Sequence, residues 1–282
     1  MEAEAYRRAA LLSALGLKKG DRVALVLAEP HQFVLSFLGA VVGGFVPVPI
    51  YPRASFKNAD GYVDTLAHIV TASQSTVLLC GAGNREVVER LATRDIAVPQ
   101  IHDVDQLFAE DVTVPSFAPP SIDPEDLCFL QFTSGSTNKP KGVMVSHANL
   151  IANTTSFLGP HGLDRRDSDV GVSWLPLYHD MGLIGFVLGP LVCDIPIYLM
   201  PTELFARSPR LWLEAIHKQR GTITYAPNFA YQLAAKRVKP AEVESLDLSC
   251  LRVAGCGAEP IRAATLRSFA DHFAPAGFQE KA

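Results

Sequence analysis

A cluster of phosphate-binding residue types lies between Thr133 and Lys141. This stretch contains four hydroxyl side chains, one glycine and two lysines. Such a loop can turn several O–H and N–H donors toward one point while a lysine supplies positive charge, which is the arrangement that binds polyphosphate. It is not a Walker A element, because no G-x-x-x-x-G-K-[ST] register fits and a strand-like run, Gly142 to Val145, follows where a P-loop would open a helix. The ordinary alternative is a polar β-hairpin turn.

A second polar cluster follows the strand-like run from Val170 to Trp174. Tyr178, His179 and Asp180 stand together in an otherwise apolar string. Open α/β sheets bind ligands at the carboxyl ends of their strands, so this cluster is a candidate site. The ordinary alternative, which would be preferred for a lone histidine, is a turn in which His179 forms a hydrogen bond with the backbone.

Two further strings place small or aromatic residues at strand ends. Val253 to Pro260 ends a strand and begins a helix with small residues, which let a flat ring approach the backbone and leave a helix N-terminus free to attract anions. A simple turn would look the same in isolation. Ala226 to Tyr231 carries aromatic residues at helical spacing, which are more often core than ligand contacts.

Taken together, these strings resemble the core motifs of the adenylate-forming superfamily. That superfamily includes acyl-CoA synthetases, fatty acyl-AMP ligases and nonribosomal adenylation domains. The resemblance covers essentially the whole chain, and it rests on the Thr133–Lys141 loop, the Trp174–Leu183 string and the Val253–Pro260 string. Asn138 departs from the glycine that is common at its position in the loop.

The resemblance implies a role for each matching residue. His179 corresponds to the catalytic histidine at the place where acyl chain and α-phosphate meet, with Asp180 in support. The implied phosphate-binding residues are Thr133, Ser134, Gly135, Ser136, Thr137 and Lys141, the implied adenine-binding residues are Gly257, Ala258 and Glu259, and the implied acyl-pocket residues are Asn228, Phe229 and Tyr231. Lys141 could instead be a solvated loop lysine, and Phe229 and Tyr231 could be plain core.

The resemblance also implies a reaction and its partners. We expect ATP-dependent activation of a fatty acid to acyl-AMP with release of pyrophosphate, followed by transfer to an acyl carrier protein or a polyketide or nonribosomal synthase module. ATP and Mg²⁺ are the implied cofactors. The chain itself provides no metal ligand, because the magnesium-binding glutamate of the family is expected beyond residue 282.

Two alternatives to that prediction remain open. Family members are considerably longer than this chain, so we expect an N-terminal part of such an enzyme, poorly active or inactive alone. CoA is the alternative acyl acceptor, as in an acyl-CoA synthetase. A non-catalytic nucleotide- or acyl-binding module from a truncated gene is the alternative of another class.

Bulk composition excludes several other classes. The 282 residues are 48% hydrophobic and 19% charged, which is ordinary for a globular protein, and the net charge of −4 without a long basic run argues against a nucleic-acid partner. Five scattered cysteines without a C-x-x-C pair favour reduced thiols. We expect no transmembrane segment, because the apolar run from Val41 to Ile50 is short and broken by glycine and proline, and we expect a cytoplasmic protein.

The elements that must position these residues alternate between strand-like and helix-like runs. This alternation predicts an α/β fold of layered, mostly parallel sheets flanked by helices, which is a partial large domain of an adenylate-forming enzyme. We expect an N-terminal lobe at 1–110, a proline-rich connector at 111–126 and a second lobe at 127–282. Within the second lobe, helices are predicted from Gly182 to Leu191 and from Pro260 to about Phe273.

Overall fold

The computed structural model describes residues 1–53, 59–133 and 139–282. The chain divides into two compact units, Met1–Leu150 and Ile151–Ala282, and each is described by itself. Among the described residues, no helix is both long enough and apolar enough to cross a lipid bilayer.

The first unit is built on a four-stranded parallel sheet with the strand order β2-β1-β3-β4. Its strands and helices are α1 (Glu2–Ala14), β1 (Arg22–Val26), α2 (Pro30–Val42), β2 (Val46–Pro49), α3 (Ala59–Ser73), β3 (Val77–Cys80), α4 (Arg85–Glu89), β4 (Gln100–Asp103) and α5 (Val104–Leu107). β1, β2 and β3 are buried almost completely, as expected for parallel strands covered on both faces.

An antiparallel hairpin completes this unit. β5 (Leu127–Thr133) pairs with β6 (Lys141–Ser146), and the last residue of one strand stands opposite the first of the other, Thr133 to Lys141. The hairpin packs against the rest of this unit. β5 lies beside β2, Leu130 belongs to the hydrophobic core that includes residues of α3, and the Phe129 ring lies 5.7 Å from that of Phe37. The compact division therefore comes after Leu150, whereas the sequence analysis assigned residues from 127 onward to the second lobe.

The connector predicted at 111–126 contains no helix or strand. An ion pair joins its last residue to the loop before β1, since the Lys19 ammonium lies 2.6 Å from a carboxylate oxygen of Asp126.

The second unit contains a four-stranded parallel sheet with the order β10-β9-β7-β8. Beginning with α6, which starts at the end of the first unit, the elements are α6 (His147–Leu158), β7 (Gly171–Ser173), α7 (Asp180–Leu183), a π-helical segment (Ile184–Leu188), α8 (Gly189–Cys193), β8 (Ile197–Leu199), α9 (Thr202–Arg207), α10 (Arg210–Gln219), β9 (Ile223–Ala226), α11 (Asn228–Arg237), α12 (Pro240–Val243), β10 (Val253–Cys256) and α13 (Ala263–Phe273).

An aromatic core holds this sheet to its helices. Trp212 is fully buried and donates its indole N–H to the Thr224 hydroxyl at 2.9 Å, and its ring meets that of Tyr231 edge-on at 5.6 Å. Burial of large aromatic side chains is a major source of stability, and the satisfied indole N–H adds no desolvation penalty. The core fixes α10 and α11 against the sheet.

The structure confirms the α/β class with parallel sheets and corrects several element boundaries. The last helix begins at Ala263 rather than Pro260, because the Arg262 amide donates to the Asn228 side chain at 2.9 Å and holds the preceding residues out of the helix. The predicted helix from Gly182 to Leu191 consists of α7, the π-helical segment and α8. β4, α5, α9 and α12 were not predicted.

Candidate functional site

Three loops meet at the carboxyl edge of the second sheet. β7 leads to His179, β9 leads to Asn228, and β10 leads to Gly257, Ala258 and Glu259. Because parallel strands present their carboxyl ends at the same edge, residues far apart in sequence become neighbours here. The backbone confirms the closeness, since the Gly257 amide donates to the Ala226 carbonyl at 3.3 Å.

His179 forms an ion pair with Asp180 at the start of α7. Its Nδ1 lies 2.6 Å from Asp180 Oδ1, and the same oxygen accepts the Met181 amide at 2.8 Å. The Met181 amide also approaches Nδ1, at 3.4 Å, but the much shorter contact with a carboxylate that can only accept assigns a proton to Nδ1 and leaves Nε2 for another partner. The hydrogen bond to Asp180 raises the pKa of His179 against the opposing effect of burial, and the same bond lowers the pKa of Asp180. The geometry favours a cationic imidazole.

A cavity of about 600 Å³ opens beside this pair. That volume is typical of small-molecule sites, which are mostly apolar with a few polar groups. The lining consists of Asn153, Phe157, Leu158, Leu163, Gly171, His179, Asp180, Met181, Ile184, Gly185, Phe186, Pro190, Ile195, Ile197, Ile223, Tyr225 and Ala258. An apolar chamber with its charged group at the sheet's carboxyl edge can hold an aliphatic chain whose polar end meets His179.

Ala258 lines the same cavity in an unusual backbone conformation. Its φ is +65°, in the left-handed region that non-glycine residues rarely adopt. Such strain costs of order 1–3 kcal/mol and is concentrated at ligand-binding sites. Ala258 lines the cavity together with Met181 and His179, and a Cβ built on Gly257 would lie 4.0 Å from the Met181 sulfur.

Glu259 is exposed, and its carboxylate binds the start of α11. Its Oε1 accepts the Phe229 amide at 2.6 Å, which satisfies one of the free N–H groups at a helix N-terminus. Together with the bond from Arg262 to Asn228, this contact locks the turn after β10 to the turn after β9.

The chain matches the AMP-binding enzyme family over residues 1–279. It belongs to this family. A Caulobacter vibrioides protein provisionally named an acyl-CoA synthetase is 39% identical over 279 residues, which cover 99% of this chain and 48% of that relative. A medium-chain-fatty-acid–[acyl-carrier-protein] ligase of Teredinibacter turnerae is 36% identical over 294 residues, covering 93% of this chain and 46% of that protein.

A solved AMP-binding enzyme also has the same fold. The Legionella pneumophila fatty acyl-adenylate ligase in complex with acyl adenylate and pyrophosphate superposes with a TM-score of 0.84 at 37% identity, covering 98% of this chain and 47% of that one. The chain spans about half the length of the curated relatives it matches.

The structure brings only some of the residues predicted for an AMP-binding enzyme onto the cavity. His179, Asp180 and Ala258 line it. Asn228, Phe229 and Tyr231, predicted as acyl pocket, lie elsewhere: Asn228 accepts the Arg262 amide, Phe229 is half-exposed, and Tyr231 is buried in the core with its hydroxyl donating to the Gly255 carbonyl at 2.7 Å. Their role in ligand binding stays a prediction.

The phosphate-binding residues predicted in the loop belong to the first unit. Thr133 and Lys141 stand opposite each other, both exposed, at the loop end of the hairpin. The Pro140 carbonyl lies 2.8 Å from His68 Nε2, so α3 anchors the loop's carboxyl side. Ser134, Gly135, Ser136 and Thr137 lie outside the described residues.

The sequence analysis did not identify Tyr225 as a cavity residue. Along β9, Thr224 and Ala226 are fully buried, whereas Tyr225 points to the other face and contacts the cavity. Burial raises the pKa of its hydroxyl, so it stays a neutral hydrogen-bonding group. The alternation along this strand was the available signal.

Proposed function

We propose that this chain carries the acyl-activating site of an enzyme that converts a fatty acid and ATP to acyl-AMP and pyrophosphate. The observation that carries the proposal is the His179–Asp180 pair on an apolar cavity that also contacts Ala258. The similar Legionella enzyme, which holds acyl adenylate and pyrophosphate, supports this assignment.

In the proposed reaction a carboxylate oxygen of the fatty acid attacks the α-phosphorus of ATP. A bond forms between that oxygen and phosphorus, the bond from the α-phosphorus to the bridging oxygen breaks, and pyrophosphate leaves with that electron pair. Reactions of this type depend on positioning and charge neutralisation more than on a protein nucleophile.

His179 would hold the reacting groups. The ion pair with Asp180 favours the imidazolium, whose charge attracts the carboxylate and the α-phosphate. The apolar walls would hold the chain and exclude water from the activated product.

The two other strings that resemble the family motifs would hold the rest of the nucleotide. We assign adenine to Gly257, Ala258 and Glu259, and pyrophosphate to the loop from Thr133 to Lys141. The strained turn at Ala258 supports the first assignment, and the exposed pair Thr133 and Lys141 at the loop end of the hairpin supports the second.

Magnesium would accompany ATP in this reaction. Across residues 1–53, 59–133 and 139–282, no group of three or more His, Cys, Asp or Glu side chains is placed to bind a metal ion. Mg²⁺ in nucleotide sites is held largely by phosphates and water with one or two carboxylates. We assign no residue to the ion and no step to it.

An acyl carrier protein is the acceptor we propose, because the Teredinibacter relative is a ligase of that type. CoA is the second candidate, favoured by the Caulobacter relative at 39% identity. The two acceptors are distinguished by incubating the protein with acyl-AMP bound with each of them and measuring the thioester product by mass spectrometry. Acylation of the carrier's phosphopantetheine, with no acyl-CoA formed, supports the first.

Acyl transfer through the adenylate is tested with a fatty acid labelled with ¹⁸O in its carboxylate, in single-turnover amounts. Attack on the α-phosphorus transfers one labelled oxygen to AMP. Formation of ADP and phosphate, with the label kept in the fatty acid, would contradict the proposal.

A further inference from the structure

Gly185 lies in the wall of the cavity, six residues after His179 on the same helical stretch. Met181, Ile184 and Gly185 all line the cavity, and their i, i+3, i+4 spacing places them on one helix face. An α-helical rise of roughly 1.5 Å per residue puts Gly185 at most about 9 Å beyond His179 along the axis, because the π-helical turn that begins at Ile184 rises less per residue.

Packing does not require a glycine at position 185. A Cβ built on Gly185 meets no heavy atom within 4 Å, and its φ lies outside the left-handed region. Other glycines of the same stretch differ: a Cβ on Gly182 would overlap the Pro176 carbonyl, and one on Gly189 would come within 2.7 Å of Phe157. A glycine inside a helix is unfavourable, so its presence here calls for another reason.

We infer that Gly185 sets the length of acyl chain that the cavity accepts, because any side chain at this position would occupy the path beyond His179. This inference rests on the proposed function, in which the carboxylate lies at His179 and the aliphatic chain extends along the wall. The substrate class that follows is a linear fatty acid long enough to pass Gly185.

The test compares octanoate and palmitate binding to the wild-type chain and to the Gly185→Leu variant by competition with a fluorescent fatty acid below micellar concentrations. Each methylene that fails to enter costs about fourfold in Kd. We expect the Kd for palmitate to rise at least about tenfold in Gly185→Leu, while that for octanoate changes less than about threefold.

Two further variants keep the test decisive. Gly83, exposed in the short 3₁₀ turn Ala82–Asn84 of the first unit, also has open space at its Cβ, so Gly83→Leu is the control and should leave both affinities unchanged. Gly185→Ala should shift palmitate in the same direction by less, even if the leucine variant is unstable.

The outcomes separate this inference from the function on which it rests. Wild-type binding with an unchanged palmitate-to-octanoate ratio in both Gly185 variants would overturn the inference and leave the proposed function standing. Equal loss of both ligands would also overturn it. Absence of fatty-acid binding by the wild-type chain would overturn both.

Discussion

The two edges of the second sheet carry charged pairs of the same kind in opposite settings. At the amino edge, Arg252 makes a two-pronged contact with Asp169, at 3.1 and 2.6 Å, and the Asp169 side chain is 1% exposed. At the carboxyl edge, His179 and Asp180 pair at 2.6 Å, with both side chains more than half exposed.

The partners of each pair show why the settings differ. Asp169 also accepts the Thr222 hydroxyl and the Arg166 amide, each at 2.8 Å, so its carboxylate is fully occupied by the protein. His179 keeps one ring nitrogen available and faces a cavity. A saturated buried pair stabilises the fold, whereas an unsaturated pair at a cavity is able to bind a ligand.

The largest expected effect comes from breaking the amino-edge pair. Arg252→Ala leaves the buried Asp169 carboxylate without its charge partner, which costs about 3–5 kcal/mol of unfolding free energy. Urea denaturation followed by circular dichroism measures the change. Arg165→Ala is the control, because its pair with Asp167 is exposed and contributes at most about 1 kcal/mol. Similar losses in both variants would contradict the distinction between the two edges.

Removing the carboxyl-edge histidine should affect binding without affecting folding. His179→Ala loses a hydrogen bond to a charged group, worth about 1.5–3 kcal/mol, so the Kd for octanoate should rise about tenfold to a hundredfold. Isothermal titration measures the affinity, and urea midpoints should stay unchanged. The exposed His161 provides the matched control His161→Ala. An unchanged Kd in His179→Ala would remove His179 from the site.

The pH dependence of binding should follow the His179–Asp180 bond. Because the hydrogen bond raises the pKa of folded His179, the imidazolium persists above the ordinary value of about 6.5 and is lost as pH rises through the raised pKa. Octanoate affinity should fall over that range. Any contribution of the pair to the free energy of unfolding is fully present below the pKa of His179 in the unfolded chain, and it is lost as the pH rises through the raised pKa of the folded state.

Asp180→Asn sharpens this prediction. Without the carboxylate, the midpoint of the affinity profile should move down toward about 6.5. Titrations between pH 5.5 and 9 cover the range in which the fatty acid stays anionic. A midpoint that stays in place or rises would show that Asp180 does not tune the histidine.

The smallest expected effect is on stability at Gly185. Gly185→Ala should raise the unfolding free energy by about 0.5–1 kcal/mol, because alanine is preferred in helices and its Cβ meets open space. Thermal unfolding by calorimetry measures it. A lower melting temperature would show that the wall at Gly185 is more tightly packed than described.

Sequence alone predicted the parts of the fold that depend on local pattern. The alternation of strand-like and helix-like runs indicated parallel sheets, and the structure has them, with buried strands such as Val77–Cys80. β4, Gln100–Asp103, was missed because its residues are mostly polar and half-exposed, so no hydrophobic run marks it. The start of α13 was misplaced because the bond from Arg262 to Asn228 joins residues 34 positions apart.

The site was predictable to the same extent. His179 and Ala258 were predicted because their strings are distinctive, and the strand ends place both residues on one cavity, while their roles stay predictions. The cavity wall was not predictable, since Phe157, Phe186 and Tyr225 come together only through the strand order of the sheet. Tyr231 and Phe229 illustrate the converse, because helical spacing alone does not distinguish a core ring from an exposed one.

The central claim is that the cavity beside His179 holds an acyl-adenylate. Its most direct test is photo-crosslinking with a non-hydrolysable acyl-adenylate analogue that carries a diazirine at the chain terminus, followed by peptide mass spectrometry. We predict saturable labelling of cavity residues on the Ile184–Leu188 segment and on α6, strongly reduced in His179→Ala. Labelling that does not saturate, or that falls on Asn228, Phe229 and Tyr231 instead, would contradict the account.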